Sequence, residues 1–138
     1  MRLPPAVRRA IVAHARRERP RECCGFLLGR GNRVQCACPT ANVAANPAAE
    51  YRVDDAAHIE LRRTLRRLSP AIEIVGVYHS HPAGPAQPSP RDVEHAHYPE
   101  WIHVIVGFRA GRAEVRAYRL RRGQVQATTI SYARRHLV

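Results

Sequence analysis

The stretch "AIEIVGVYHSHPAGPAQPSPRD", residues 71–92, decides the fold prediction because it leads from a strand signal to a helix start. Its first nine residues are rich in β-branched side chains, which predicts a buried strand over 71–79. Pro82 ends that strand, and a loop of small residues and prolines follows. Ser89 and Pro90 then fit the N-cap and N1 positions of a helix. The chain should therefore pass from a buried strand into a helix through one polar loop.

The same stretch carries potential metal ligands. Side chains alternate along a strand, so His79 and His81 point to one face. Asp92 lies in the first turn of the following helix, from which its carboxylate can return to the two imidazoles. Three such ligands leave a fourth position for water, which is typical of a catalytic zinc site. Either half alone, a His-x-His pair or a Ser-x-x-Asp capping box, has an ordinary structural explanation. Their combination predicts a metal site.

The remaining chain predicts a mixed α/β fold of the α+β type, with a mainly antiparallel sheet and two or three helices. We expect a single domain spanning residues 1–138. Apolar stripes predict one helix over 4–19 and a second beginning after Asp54 or Asp55. Further strands are predicted at 22–30, 33–38, 50–53, 101–108, 112–120 and 124–132.

Side-chain periodicity makes two finer predictions. On the second helix, three leucines should share one side. On the second strand, three residues should share one face. The two sets are Leu61, Leu65 and Leu68, and Val34, Cys36 and Cys38.

The charge pattern is unusual: the 138 residues carry a formal net charge of +12, and all 23 cationic side chains are arginine. One explanation is a GC-rich genome that replaces lysine by arginine; the other is an acidic partner. Few aromatic residues accompany the arginines, which disfavours nucleic acid. No stretch is long enough to span a membrane, and the N-terminus lacks the apolar core of a signal peptide. These features predict a cytoplasmic protein.

The four cysteines, Cys23, Cys24, Cys36 and Cys38, are expected to be reduced in that compartment. Their spacing does not match zinc-knuckle patterns. Plain strand positions explain them, with a redox role or a place around a metal site as alternatives.

A zinc hydrolase also needs a base for its water, and no glutamate adjoins His79. Glu22 is the candidate, because it opens the apolar strand "ECCGFLLG", residues 22–29, where a charged side chain should have a partner. An ordinary exposed glutamate at a strand start is the alternative for this residue taken alone.

Taken together, "ECCGFLLG", "GVYHSHP" and "PSPRD" resemble, in order and spacing, the signature of the JAMM or MPN+ metalloproteases, in particular the compact stand-alone prokaryotic members. The resemblance implies a cytidine-deaminase-like fold with a curved sheet between helices. It also implies one zinc ion held by His79, His81, Asp92 and a water. Glu22 would then hydrogen-bond that water, and Ser89 would stabilise the oxyanion, unless capping fully uses the Ser89 hydroxyl.

The resemblance further implies a zinc metallopeptidase that acts on ubiquitin-like or sulfur-carrier β-grasp proteins. Such an enzyme cleaves the peptide or isopeptide bond after the carrier's C-terminal Gly-Gly. It either removes the carrier from a target lysine or releases an amino acid such as cysteine, and both reactions stay open. The alternatives are a non-catalytic scaffold of the same family and a basic nucleic-acid-binding module.

The groove for the carrier tail is expected between the strand leading to His79 and the proline-rich loop 81–88. His95, nearly one helical turn after Asp92, is a candidate outer neighbour of the metal. His97 and His103 are interpreted as ordinary polar positions. Trp101 is expected to pack on the sheet, with a place in the wall of the substrate groove as the alternative.

Overall fold

The computed structural model of the protein describes residues 1–68 and 71–132. The predicted domain also includes 69–70 and 133–138, which lie outside the described residues. The elements are α1 (Pro5–Glu18), β1 (Cys24–Arg30), β2 (Arg33–Thr40), α2 (Asp55–Leu65), β3 (Glu73–His81), α3 (Pro90–Glu94), β4 (Ile102–Arg109), β5 (Arg112–Arg121) and β6 (Gln124–Thr128). Among the described residues, no helix has the length and apolar character needed to cross a membrane.

The strands form one six-stranded sheet in the order β2-β1-β3-β4-β5-β6. Among the six described strands, only β3 and β4 pair in parallel, because α3 and its flanking loops carry the chain back to the start of β4. The other neighbours are antiparallel. The predicted α/β class with a mainly antiparallel sheet is confirmed.

The helices cover both faces of the sheet. The apolar stripe of α1 packs on one face through Val7, Ile11 and Ala15, which join the largest core cluster. On the other face, Leu65 of α2 packs with Phe26 and other side chains of the sheet. Burial of both faces explains why β1, β3 and β4 read as nearly continuous apolar runs.

The predicted packing of Trp101 on the sheet is confirmed. Trp101 precedes β4 and is buried in the cluster beneath α2, where its ring meets that of Phe26 edge-on at a centroid distance of 6.4 Å. The Trp101 ring also stacks on the Tyr98 ring, with centroids 3.9 Å apart. The residue therefore joins the sheet to the segment before β4.

A bulge overturns the prediction that Val34, Cys36 and Cys38 share one face. Leu28 pairs with Cys36, whereas Gly29 pairs with Val34, so one extra residue of β2 stands between the two pairs. A bulge changes the alternation of the bulged strand. Val34 consequently packs in the cluster under α1, while Cys38 packs in the cluster under α2.

The extents of several elements also differ from the prediction. Helix α2 ends at Leu65, so Leu68 lies beyond it and is 44% exposed instead of sharing its apolar side. Residues 50–53 form no strand; Val53 makes only an isolated bridge with Asn42. Strand β6 ends at Thr128, four residues earlier than predicted. Each error falls where local patterns carry little information about pairing or packing.

Candidate active site

Strand β3 delivers the two histidines to one face of the sheet. His79 pairs with Ile105 of β4, and His81 pairs with Gly107, so both imidazoles lie on the face covered by α2 and α3. Ser80, between them, points to the opposite face, where its Oγ accepts a hydrogen bond from the Cys23 amide at 2.8 Å. The period of two that the sequence predicts is therefore present at the end of β3.

Helix α3 brings Asp92 to the same point. The Asp92 Oδ2 atom lies 3.1 Å from His79 Nε2 and 3.2 Å from His81 Nε2. The two Nε2 atoms are 3.1 Å apart. Tetrahedral zinc with bonds of about 2.0–2.1 Å requires neighbouring ligand atoms about 3.3 Å apart. The observed spacing therefore suits three ligands of one cation.

The chemistry of this donor set also fits a metal. Two lone-pair nitrogens and a carboxylate oxygen that converge so closely repel one another unless a proton or cation lies among them. His81 Nδ1 bonds to the Pro85 carbonyl at 2.9 Å, which places a proton on Nδ1 and leaves Nε2 with a lone pair. The residues present could thus hold zinc.

The electrostatics of His79 and Asp92 favour ligand protonation states. Burial lowers the pKa of His79, because the charged ring would lose its hydration. Burial opposes the charge on Asp92 as well, but hydrogen bonds with His79 and His81 hold its pKa well below the usual range. At neutral pH the neutral imidazole of His79 therefore lies beside the ionised carboxylate of Asp92. For His81, burial lowers the pKa, but hydrogen bonds with Asp92 and the Pro85 carbonyl outweigh burial and raise the pKa above its ordinary value.

The loop-to-helix junction of α3 fixes Asp92. The Ser89 hydroxyl accepts a bond from the Asp92 amide at 3.1 Å, and the Asp92 carboxylate accepts one from the Ser89 amide at 2.8 Å. This is the reciprocal capping box predicted for Ser89, with Pro90 at the start of the helix. The Asp92 Oδ2 atom is thus held both by the capping box and by its contacts with the two imidazoles.

Glu22, predicted as the first residue of a strand over 22–30, lies outside the observed strand and still reaches the site. It lies two residues before β1, yet it is 5% exposed and its Oε1 has no hydrogen-bond partner among the described residues. Its carboxylate and the His79 and His81 nitrogens lie within 4.8 Å of one another. Burial raises the pKa of Glu22 to about 7, an effect that His81 opposes and Asp92 reinforces. A buried carboxylate of this kind is typical of a functional site.

Two carboxylates therefore flank the imidazole pair, and their positions differ. Asp92 is at ligand spacing from both rings, whereas Glu22 has a free buried oxygen beside them. Cys24 is opposite His79 in the sheet, but its thiol donates to the Thr40 and Ala41 carbonyls, at 3.9 Å and 3.6 Å. The arrangement suits Asp92 as ligand and Glu22 as a neighbouring proton acceptor.

A cleft of about 990 Å³ opens beside Asp92. Val77 of β3 lines it, as expected, but residues 81–88 do not. That loop turns inward: Ala86 is buried against β4 and β5, and its carbonyl accepts the hydroxyl of Tyr118. The cleft is instead walled by α2 and by the segments 43–53 and 91–101. The expected wall 81–88 is therefore not part of this cleft.

Three histidines that follow Asp92 in the sequence occupy different positions. His95 and His97 line the cleft and stack on each other at 6.4 Å. His103 is not the ordinary polar residue expected: it is 4% exposed, and neither ring nitrogen has a hydrogen-bond partner within the described ranges. Burial lowers the pKa of His103 to about 4, so the ring is neutral. Its position in an apolar strand was the available signal.

Tyr51 was missed by the sequence reasoning. Its ring stacks on His79 with centroids 4.3 Å apart and planes 21° from parallel. Nothing in the local pattern "AEYRV" marks it, because the contact joins two segments 28 residues apart.

A family model described as prokaryotic homologs of the JAB domain matches residues 4–121. The chain is 37% identical over 118 residues to a probable TtuB-protein conjugate cleaving protease of Thermus thermophilus, covering 86% of this chain and 74% of the relative. It is 39% identical over 120 residues to the CysO-cysteine peptidase of Mycobacterium tuberculosis, covering 84% and 80%. A desampylase of Haloferax volcanii is 35% identical over 104 residues, covering 71% and 73%.

Solved structures show the same fold. The solution structure of a protein from Desulfitobacterium hafniense matches with a TM-score of 0.83 at 25% identity, over 94% of this chain and 90% of the other. A JAB1/MPN domain protein from Archaeoglobus fulgidus matches with a TM-score of 0.63 at 16% identity, over 94% and 98%. The second likeness bears on the fold alone.

Proposed function

Because the chain belongs to the prokaryotic homologs of the JAB domain, we propose that it is a zinc-dependent hydrolase that cleaves the bond after the C-terminal Gly-Gly of a ubiquitin-like carrier protein. The observation that carries the proposal is the convergence of His79, His81 and Asp92 within 3.2 Å, beside a buried carboxylate. Relatives named for cleaving TtuB conjugates and CysO-cysteine support the carrier as substrate. Both peptide and isopeptide bonds stay open as targets.

The proposed assignment gives each residue one task. His79, His81 and Asp92 hold the ion, which when bound supplies Lewis-acid polarisation and makes water nucleophilic near neutral pH. Glu22 takes the proton of the attacking water and delivers it to the leaving amine. Its raised pKa suits both tasks, since a base that must also act as an acid works best near the operating pH.

Ser89 is proposed to donate to the oxyanion. The hydrogen bond from the Asp92 amide occupies an acceptor lone pair of the Ser89 hydroxyl and leaves its hydrogen free to point elsewhere. Capping and oxyanion stabilisation are therefore compatible in one side chain. The complete set of five polar residues favours an enzyme over a scaffold that has lost its ligands.

We expect Ser89→Ala to lower kcat about 10²–10³-fold, because the oxyanion loses one donor. Loss of the cap should also cost about 1 kcal/mol of stability. Ser89→Thr, which keeps both the hydroxyl and the cap, should retain most of the activity. Steady-state kinetics on the carrier substrate test this, and equal kcat for Ser89→Ala and the unchanged protein would contradict the role.

The substrate assignment predicts that the C-terminal tail of the carrier must have small side chains next to the cleaved bond. His79 is fully buried, and little of the Asp92 and His81 side chains is exposed. A carbonyl can approach such a site only on a chain with little side-chain bulk. Replacing the penultimate carrier glycine by leucine should therefore abolish cleavage at any salt concentration.

The proposed substrate is tested with carrier proteins that are encoded in the same genome and end in Gly-Gly. Each carrier is joined either to cysteine by a peptide bond or to lysine by an isopeptide bond. Intact mass after incubation with the zinc-loaded protein identifies the bond cleaved, and a chelated sample is the control. Added salt should raise KM but leave kcat nearly unchanged, because arginines attract an acidic carrier body. Equally fast cleavage of the leucine variant would indicate a general peptidase instead.

A further inference from the structure

The two proposed histidine ligands are held in different ways. A metal-binding histidine almost always donates its second ring N–H to a carboxylate, carbonyl or water, which fixes the orientation of the ring. His81 follows this rule, since its Nδ1 bonds to the Pro85 carbonyl at 2.9 Å. His79 does not: its Nδ1 is buried and has no hydrogen-bond partner in the part of the chain that the structure describes.

Tyr51 stacks on a face of the His79 ring. The two ring centroids are 4.3 Å apart, with an interplanar angle of 21°. Stacked rings at this distance resist rotation of the imidazole about its Cβ–Cγ bond, because turning would drive an edge of the imidazole into the tyrosine ring. His79 is also fully buried, so other orientations are further restricted by packing.

We propose that Tyr51 is a positioning residue that orients His79 for metal binding by ring stacking, in place of the usual outer hydrogen bond. The inference rests on the proposed function, because it takes His79 as a ligand.

Hydrogen bonds made by one side chain hold the backbone on both sides of Tyr51. The Asn42 amide donates to the Glu50 carbonyl at 2.9 Å, and its oxygen accepts from the Arg52 amide at 3.0 Å. These two bonds hold the residues on either side of Tyr51. The same amide donates to the Glu22 carbonyl at 3.0 Å. One asparagine thus ties the tyrosine to the segment that carries the proposed base.

A second tie joins this segment to the helix of the third ligand. Arg91 of α3 donates to the Glu50 carboxylate, and these two residues are the sequence neighbours of Asp92 and Tyr51. The segment is therefore linked to α3 by an ion pair as well as to Glu22 by Asn42. A segment tied in this way can hold one aromatic ring against a ligand without contacting the metal itself.

The test measures metal affinity, not turnover. We expect Tyr51→Ala to weaken zinc binding about 10–100-fold, the usual effect of losing an outer partner of a ligand. Tyr51→Phe should bind zinc as the unchanged protein does, because the stacked ring is kept. Competition with a chromophoric chelator gives the affinities. The visible spectrum of the cobalt-loaded protein should change in Tyr51→Ala and stay the same in Tyr51→Phe.

Tyr98→Ala is the matched control. Tyr98 lines the same cleft but stacks on Trp101 instead of a proposed ligand. Its removal should leave zinc affinity unchanged. If Tyr51→Ala does not fold, as judged by circular dichroism, Tyr51→Leu replaces it, since leucine fills most of the space without a flat ring and should also bind zinc weakly.

The outcomes separate this inference from the proposed function. If the unchanged protein binds no zinc, both the proposed function and this inference fail. If the unchanged protein binds one zinc and the folded alanine or leucine variant binds it equally tightly, only the role of Tyr51 is overturned. A Phe variant as weak as the alanine variant would also overturn it, because the hydroxyl and not the stacked ring would then matter.

Discussion

Replacing His79 and His81 together by alanine should reduce bound zinc from one ion per chain to almost none, while the protein stays folded. The two imidazoles supply two of the three converging ligand atoms, and one carboxylate alone binds zinc weakly. The fold should survive because three apolar clusters on both faces of the sheet, not a metal, carry its stability. Elemental analysis after zinc loading and desalting measures the first effect, and circular dichroism the second.

His14→Ala is the matched control for this experiment. His14 is also a buried histidine, but it lies on α1, where its Nδ1 bonds to the Tyr78 hydroxyl at 2.8 Å on the opposite face of the sheet. Its removal should leave zinc content unchanged. Full occupancy in the folded double variant would contradict the metal site at the end of β3 and, with it, the proposed chemistry.

Glu22→Gln should keep its zinc and lose hydrolysis. The amide has nearly the shape of the carboxylate but cannot accept the proton of the attacking water, and general-base catalysis of this kind contributes about 10²–10⁴-fold in rate. Because Glu22 is buried, a neutral amide should also be tolerated structurally. Turnover of the carrier substrate and zinc content, measured on the same sample, check the two halves of the prediction.

Glu18→Gln is the control, since Glu18 is a carboxylate at the end of α1 that pairs with Arg21 outside the site. It should leave turnover unchanged. Activity of Glu22→Gln equal to that of the unchanged protein would remove Glu22 from the mechanism. Loss of zinc from Glu22→Gln, with zinc retained by Asp92→Asn, would exchange the proposed roles of the two carboxylates.

The local parts of the site follow from the sequence because they depend on short-range geometry. His79 and His81 share a face because a strand repeats every two residues. Asp92 is held by Ser89 because a capping box spans four residues at a helix start. The family could be identified for the same reason, since its signature consists of such short segments.

Features that depend on pairing between strands could not be read locally. The bulge in β2 moves Val34 to the face opposite Cys38, and no residue in "RVQCAC" marks where the extra residue falls. The direction of loop 81–88 could not be read from the local sequence either. It folds against β4 because Gly107, which pairs with His81, has no side chain to block the approach of Ala86.

By itself, the sequence determined the α/β class, the strand and helix that carry the two histidines and the aspartate, and the choice of Glu22 as candidate base. Only the tertiary structure decided that Glu22 is buried beside the imidazoles, because this depends on the antiparallel register that sets Cys24 opposite His79. It also decided that Tyr51 stacks on His79. Contacts between residues far apart in the chain follow from register and packing, which local periodicity does not encode.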